Sequence, residues 1–191
     1  MAIDNGTLPE WDVEFLTVQT MIYDRGWSHI KVIYQGTDPC LICTCRDHSG
    51  ELVMVFMSKE NKVGVRVLRK LRSESNSAGS THCILLSLNG LTPFANKELQ
   101  ESDQENVVEL FQKHELCMPI IHHGLVPPHI PLTKSQKAQL LQELGCKASA
   151  LPKLKESDPV ARYLFLRPGT VVKIQRRIGH LESEPYFRIV C

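Results

Sequence analysis

Residues 157–176 read SDPVARYLFLRPGTVVKIQR, and this stretch decides the fold of the C-terminal part of the chain. Asp158 is a favourable N-cap residue, because its carboxylate accepts hydrogen bonds from the first free amide groups of a helix. Pro159 fits the first helical position, where its missing N–H group costs nothing. Gly169 allows a turn with positive φ, and from Thr170 the apolar residues alternate with a period of two. The stretch therefore predicts a capped short helix, a turn and a β-strand.

A second apolar run near the end of the chain predicts a partner for this strand. Tyr186–Val190 reads YFRIV, which is typical of a strand and can pair back as a hairpin. In the first strand Val172 and Ile174 share one face, while Lys173 and Gln175 share the other. These elements together predict a small α+β core.

Several rigid motifs occur in one order in this part of the chain. They are HHGLVPPH at 122–129, LP at 151–152, DPVARY at 158–163 and GTVVKIQR at 169–176. At this spacing they resemble the fifth-subunit family of eukaryotic DNA-dependent RNA polymerases, which polymerases I, II and III share, and the counterpart of that family in archaeal RNA polymerase. The resemblance runs from about His122 to the end without gaps, and several motifs at fixed spacing are more specific than one.

The resemblance implies a non-catalytic subunit of a nuclear RNA polymerase, without a cofactor, metal or small-molecule substrate of its own. In this family a C-terminal assembly module, here residues 118–191, docks on the largest subunit beside neighbouring small subunits. An α/β module related to the restriction-endonuclease fold, here residues 1–117, lies in the lower jaw near downstream duplex DNA. A looser similarity extends into this part through TVQTMIYDRG at 17–26 and VGV at 63–65.

The same resemblance assigns the predicted site residues. Contact with the largest subunit is expected from Leu125, Val126, Pro127, His129, Asp158, Pro159, Arg162, Tyr163, Gly169, Val171, Val172, Lys173, Arg176 and Arg188. The predicted DNA-proximal residues lie in one loop and the helix after it, and they are Asn89, Gly90, Thr92, Pro93 and Lys97. Contacts of this kind position a duplex without reading its sequence.

The chain departs from the family pattern at two places. The family usually carries glycine where this chain has Phe165, and Ser-Glu-Thr-x-Gly where residues 178–182 read IGHLE. The resemblance therefore implies a hairpin loop that keeps its fold but meets a different partner surface. Some lineages hold several versions of the subunit, each dedicated to one polymerase, and the altered loop motivates the hypothesis that this chain is one of them.

Composition and charge are compatible with this class of protein. The chain has 191 residues, of which 42% are hydrophobic and 23% charged, as in ordinary soluble domains. No basic, apolar leader is expected at the start, and seven cysteines without one indicate reduced thiols of a cytosolic or nuclear protein. Residues 118–191 carry 11 Lys and Arg against 5 Asp and Glu, whereas residues 1–117 carry 11 against 16. The basic part could face nucleic acid or an acidic protein.

The remaining patterns predict an α/β layer followed by a capped helix. Strands are expected at 30–34, 40–45, 51–57, 82–88 and 107–111, and helices at 9–25, after Asn61 as a cap, and from Thr92-Pro93. Thr133 and Gln136 form a capping box for a helix through Leu144, which Gly145 ends. Ala138, Leu141 and Leu144 are expected to form its buried stripe.

The sequence gives only weak indications of two other kinds of site, a zinc site and a histidine site for metal binding or catalysis. Cys40, Cys43 and Cys45 with His48 lack the second pair that a zinc site needs, and Cys40 and Cys43 point to opposite faces of a strand. His114, His122, His123 and His129 do not form the helical histidine pair of a metalloprotease.

The rival functions are a Mg²⁺-dependent nuclease and a free-standing transcription adaptor. Glu60 and Lys62 have the acid-x-lysine spacing of such nucleases, with Asp38 or Asp47 as the earlier acid. Glu60 is expected at a helix cap and Asp47 in a turn, so the acids do not converge.

Overall fold

The computed structural model describes residues 11–35, 38–101, 107–175, 177–178, 181–182 and 185–191. The chain divides into two compact units, Met1–Met118 and Pro119–Cys191. We call them the N-terminal unit and the C-terminal unit. In the described residues, no helix has the length and apolar character that crossing a membrane requires.

The N-terminal unit is a five-stranded sheet with helices between its later strands. In chain order its elements are α1 Asp12–Asp24, β1 Ser28–Gln35, β2 Cys40–Arg46, β3 Leu52–Met57, α2 Val65–Ser77, β4 His82–Ser87, α3 Pro93–Glu101, β5 Val107–Gln112 and a 3-10 helix Lys113–Leu116. The sheet order is β1-β2-β3-β4-β5, antiparallel from β1 to β3 and parallel from β3 to β5. The predicted α/β layer is therefore confirmed.

One hydrophobic cluster explains why α2 lies where it does. Val67, Leu68 and Leu71 recur at helical spacing, and all three are buried. They belong to one core cluster with Phe56 of β3 and Leu85 of β4. Burying a side chain of this size contributes roughly 1.5–3 kcal/mol, so the apolar stripe fixes the helix against the parallel strands.

The C-terminal unit is a four-stranded sheet with short helices. Its elements are a 3-10 helix Ile120–His122, β6 His129–Pro131, α4 Lys134–Glu143, a 3-10 helix Ala148–Ala150, β7 Lys153–Leu154, α5 Pro159–Tyr163, β8 Val171–Ile174, β9 Arg177–Ile178, β10 Leu181–Glu182 and β11 Tyr186–Val190. The sheet order is β6-β8-β11-β7, and β9 and β10 form a separate two-stranded ladder. The predicted pairing of the two apolar runs is confirmed, since β8 and β11 pair antiparallel.

Both faces of the C-terminal sheet are buried. Val172 and Ile174 pack in one core cluster with Ala161 of α5. Val171 packs in a second cluster with Leu140 of α4. Consecutive residues of a strand point to opposite faces, so β8 has core on both sides.

Four helices end in the same hydrogen-bonded motif. The residue after the C-cap is a glycine in three of them: Gly26 in α1, Gly79 in α2 and Gly145 in α4, with φ of 70°, 71° and 59°, respectively. In α5 the corresponding residue is Phe165, with φ of 51°. Each of the four ends makes the two backbone hydrogen bonds of a Schellman motif. A left-handed conformation costs a non-glycine residue about 1–2 kcal/mol, so α5 ends with backbone strain that the other three helices lack.

Two local predictions about helices are wrong. Asn61 does not cap α2, because Val63 forms a parallel bridge with Leu91 and the helix begins only after Gly64. In α4 the buried residue is Leu140, whereas the predicted Ala138 and Leu144 are exposed and Leu141 is half-buried.

Residues before proline favour an extended backbone, which predicts an extended segment over residues 125–128, but Leu125 departs from this prediction. It lies in a turn, which the Val126 N–H closes by donating to the His123 carbonyl at 2.9 Å, and the extended segment begins only at Pro127. The predicted helix start at Pro9 lies outside the described residues.

Candidate functional site

The predicted docking residues differ in exposure, and they fall into exposed, half-buried and buried groups. Leu125 is 87% exposed, and Pro159 and Gly169 are also exposed. Val126, Pro127, His129, Asp158, Arg162, Lys173 and Arg188 are half-buried, whereas Tyr163, Val171 and Val172 are buried. Arg176 lies outside the described residues. A buried side chain shapes a surface without reaching a partner, so Tyr163, Val171 and Val172 remain in the set only as core residues.

Two of the predicted docking residues, the exposed Leu125 and the half-buried His129, lie on the edge strand β6 or in the turn before it. His129 pairs with Ile174, and Ile174 pairs with Tyr186, so these residues form one row across three strands. Two exposed apolar residues lie near this row, Leu125 in the preceding turn and Ile130, which is 46% exposed and lies on the face of β6 opposite to His129. We call Leu125, His129, Ile130 and Tyr186 the sheet rim. It joins apolar side chains to strand-edge backbone, which is suited to a protein partner.

Arg188 lies beside this rim. Its guanidinium carbon is 5.4 Å from the centre of the Tyr186 ring, and Nη1 donates to the Lys153 carbonyl at 3.4 Å. Nε is buried, and among the described residues it has no hydrogen-bond acceptor. An unpaired buried donor is costly, so this Nε marks Arg188 as a candidate contact residue.

Asp158 caps α5 as its sequence predicts. Its Oδ1 accepts from the Val160 N–H at 2.9 Å, and Pro159 occupies the first helical turn. Such a cap stabilises a helix by about 1 kcal/mol. Its role is thus to fix the start of α5.

The predicted DNA-proximal loop lies at the carboxyl ends of the parallel strands. Asn89 and Gly90 follow β4, and they pair with the loop that follows β3. The Asn89 N–H donates to the Asn61 carbonyl at 3.0 Å, and the Val63 N–H donates to the Gly90 carbonyl at 2.9 Å. We call residues 58–63 and 88–93 the carboxyl edge.

Helix starts and lysines gather at this edge. α2 and α3 both begin there, and Thr92 Oγ1 caps α3 by accepting from the Ala95 N–H at 3.3 Å. Lys59 and Lys62 are exposed, as is Lys97 in the middle of α3, where its Nζ lies 3.6 Å from Glu101 Oε1. Helix N-termini and lysines both favour phosphate. The sequence does not indicate Lys59 as a functional residue, and it indicates Lys62 only as a candidate nuclease lysine. The reason is that the pairing between the loop after β3 and the loop after β4 cannot be seen in the sequence.

The acidic residues of the nuclease hypothesis do not form a metal site. Asp38 lies near Glu60, since its Oδ1 accepts from the Lys59 N–H at 3.4 Å, but Asp47 does not. Asp47 lies in the turn before β3, where its Oδ1 accepts from the Ser49 N–H at 2.8 Å. Glu60 lies beyond the other end of β3, and its Oε2 accepts from the Gly64 N–H at 3.4 Å. In the part of the chain that the structure describes, no group of three His, Cys, Asp or Glu residues is placed to hold a metal ion.

The cysteines of β2 are core residues. Cys43 and Cys45 are buried, and burial raises the pKa of each thiol to about 12. A metal site or a nucleophile would need the thiolate. These thiols are therefore protonated and act as small apolar groups.

A buried ionic cluster lies in the N-terminal unit. Arg25 makes a bidentate ion pair with Glu109 of β5, with Nη1–Oε1 and Nη2–Oε2 distances of 2.8 and 2.7 Å. His82 Nε2 lies 2.7 Å from Glu109 Oε1, and the Arg25 guanidinium carbon lies 4.6 Å from the Trp27 ring centre. Desolvation pushes the pKa of Glu109 up, but the Arg25 charge and the hydrogen bonds from His82 and Arg25 outweigh it, so the net pKa is lowered.

Comparison with known proteins identifies the class of protein to which this chain belongs. The family model described as RNA polymerase Rpb5, C-terminal domain, matches residues 118–190. DNA-directed RNA polymerases I, II, and III subunit rpabc1 of Dictyostelium discoideum is 38% identical over 172 residues, which cover 84% of this chain and 86% of that protein. The RPABC1 subunit of Caenorhabditis elegans is 29% identical over 180 residues, covering 84% and 85%.

A solved structure titled "Structure of EndoMS in apo form" aligns with a TM-score of 0.36 and 17% identity, over 52% of this chain and 46% of that one. A likeness at this level supports no argument.

The class is thus that of subunits of DNA-directed RNA polymerases. Within it, the chain belongs to the RPABC1 family. The resemblance seen in the sequence motifs is confirmed, as is the prediction that the chain is a non-catalytic subunit.

Proposed function

We propose that this chain is a subunit of a nuclear RNA polymerase that docks on the largest subunit through its C-terminal unit. The observation that carries the proposal is the 38% identity to a subunit of polymerases I, II and III across most of both chains. The chain then acts in transcription, in the nucleus, together with the other polymerase subunits. Nucleotide chemistry belongs to those other subunits.

The sheet rim is the proposed contact with the largest subunit. It supplies an apolar side chain, Leu125, an edge strand, β6, and the guanidinium of Arg188 with its unsatisfied Nε. An edge strand can pair with a strand of another chain, and the arginine can bind a carboxylate. The half-buried Arg162 and Lys173 add positive charge to the same unit, so the proposed partner surface is acidic.

Purification of the tagged full-length chain from its own cells tests the proposal. We expect the largest polymerase subunit to copurify at one copy per copy of the chain, measured by quantitative mass spectrometry after a wash at high salt. A control purification uses the same tag on an unrelated nuclear protein. Recovery of the chain without polymerase subunits would contradict the proposal, and copurification with transcription regulators alone would favour the adaptor.

The N-terminal unit is the proposed jaw module, related to the restriction-endonuclease fold. The mixed sheet, in which an antiparallel part leads into β3-α2-β4-α3-β5, is compatible with that relation. We propose that its carboxyl edge contacts the backbone of downstream duplex DNA through the Asn89–Pro93 loop, Lys97 and the added Lys62. Because the unit as a whole is acidic, the contact is local.

Replacing Lys62 and Lys97 together by glutamine tests the DNA contact. In polymerase that contains this double variant, we expect weaker binding of a downstream duplex and a salt dependence reduced by up to about 2 in logarithmic slope, since each phosphate contact contributes about 0.9. Fluorescence anisotropy between low and moderate salt measures both quantities. The matched control replaces the exposed Lys134 and Lys147 of the C-terminal unit, and equal slopes for the two double variants would refute the contact.

The nuclease alternative is not retained. Asp47 and Glu60 lie at opposite ends of β3, and Asp38, which lies beside Lys59, belongs to no group of three metal-ligating side chains among the described residues.

A further inference from the structure

The end of α5 carries an unusual residue. Phe165 has φ of 51°, at the position where α1, α2 and α4 have glycine. The motif itself is complete, since the Leu166 N–H donates to the Ala161 carbonyl at 2.8 Å and the Phe165 N–H donates to the Arg162 carbonyl at 3.1 Å. The fold thus requires a left-handed residue here, and glycine would meet that requirement without strain.

The core cluster at this end of α5 includes Leu166, the residue after Phe165. Leu166 is 6% exposed and belongs to a core cluster with Ala161, which is the apolar contact expected of a Schellman motif. Phe165 is half-buried, and neither core cluster described for the C-terminal unit includes it. A side chain that costs strain and lies outside the core is a candidate for function.

The ring of Phe165 is paired with a charged surface group. The Arg167 guanidinium carbon lies 4.8 Å from the ring centre, and its Nη1 is 3.8 Å from Glu156 Oε1. The side chains of Arg167 and Glu156 are 54% and 52% exposed, so this ion pair is weak and easily exchanged. The ring holds the planar guanidinium in place, and such a group binds carboxylates with two hydrogen bonds.

We propose that Phe165 and Arg167 form a recognition corner that binds a carboxylate next to an apolar side chain on the largest polymerase subunit. The ring supplies the apolar contact and Arg167 exchanges Glu156 for the carboxylate of the partner. The charge of the unit agrees, with 11 Lys and Arg against 5 Asp and Glu over residues 118–191. The inference rests on the proposed function, because it names a further contact with the same partner.

Replacement of Phe165 by glycine separates recognition from stability. We expect the free full-length variant to unfold at the same temperature as wild type or higher, because the strain is relieved. In cells that express variant and wild type with different tags, we expect at least a tenfold lower share of the variant in polymerase purified through its largest subunit. Phe165→Asn should behave similarly, since asparagine tolerates positive φ but lacks the ring.

The control variant is Leu144→Ala, which removes another exposed apolar side chain of the same unit. Its share in the polymerase should equal that of wild type. Arg167→Gln should lower the share about threefold or more without changing the unfolding temperature. A photoreactive p-benzoylphenylalanine at position 165 should crosslink to the largest subunit.

Three results would contradict the proposal that Phe165 and Arg167 form a recognition corner. The first is equal incorporation of Phe165→Gly and wild type, and the second is a lower unfolding temperature of Phe165→Gly, which would make the ring a stabilising residue. The third is a crosslink to a different subunit. If wild type itself fails to enter the polymerase, the proposed function fails instead, so the two failures are distinguishable.

Discussion

Replacing Glu109 by glutamine is expected to lower the free energy of unfolding of the N-terminal unit by about 3–5 kcal/mol. The change leaves the guanidinium of Arg25, whose side chain is 1% exposed, without its counter-charge. Urea unfolding followed by tryptophan fluorescence measures the loss. Both tryptophans, Trp11 and Trp27, lie in this unit and are buried, so the signal reports this unit alone.

The control for this prediction is Glu98→Gln. Glu98 also binds an arginine with two short contacts, 2.7 and 3.0 Å to Arg69, but this pair lies at the surface. Exposed ion pairs contribute little because water and salt screen them. We therefore expect Glu98→Gln to leave the urea midpoint nearly unchanged, and similar losses for the two variants would show that burial of the Glu109 pair is energetically unimportant.

The same carboxylate predicts a dependence on pH. The pKa of Glu109 is lowered in the folded state, so its contribution to stability is complete above the unfolded value of about 4.3. As the pH falls through the lower folded pKa, protonation removes that contribution. Wild type should therefore lose more stability than Glu109→Gln between pH 6 and the acid range, and parallel curves would contradict the assignment.

Leu166→Ala is expected to destabilise the C-terminal unit by about 2–5 kcal/mol, because it opens a cavity where α5 ends. Leu166 is 6% exposed and packs with Val172 and Val190 of the sheet. Hydrogen exchange of the amides in β8 measures the loss, since these amides lie in the affected core. Entry of the variant into the polymerase should fall as the unit unfolds.

Leu125→Ala is the matched variant at an exposed position. Leu125 is 87% exposed, so its truncation should leave hydrogen exchange in β8 unchanged. If the sheet rim docks on the largest subunit, the variant should still enter the polymerase less well than wild type. Normal incorporation of Leu125→Ala would exclude a contact by that side chain. For Leu166→Ala we expect faster hydrogen exchange in β8 than in wild type, and exchange that is no faster would contradict the packing argument.

Short-range signals were readable in the sequence. The cap at Asp158 and the capping box of Thr133 and Gln136 are confirmed, because each depends on residues two or three positions apart. The helix stop at Gly145 is confirmed for the same reason. Such motifs carry their own hydrogen-bond partners, so no knowledge of the remaining fold is needed.

Signals that depend on distant residues were misread. Asn61 looks like a cap, but its Oδ1 accepts from Asn89 Nδ2, 28 positions away, and the backbone beside it pairs with the same loop. The buried residue of α4, Leu140, is selected by contact with Val171 of β8 rather than by the helix pattern. Nothing in the residue type of Phe165 indicates a positive φ. Only the hydrogen bonds of its helix end reveal it.

The order of strands in the C-terminal sheet has a consequence for synthesis. β11 lies between β8 and β7, and the Glu156 N–H donates to the carbonyl of Cys191, so the sheet is incomplete until residues 186–191 have left the ribosome. The N-terminal unit is a compact unit that ends at residue 118, so we expect it to fold while translation continues. On the proposed docking, a nascent chain that lacks residues 186–191 would hold a folded N-terminal unit but an incomplete docking unit, and it would not enter the polymerase.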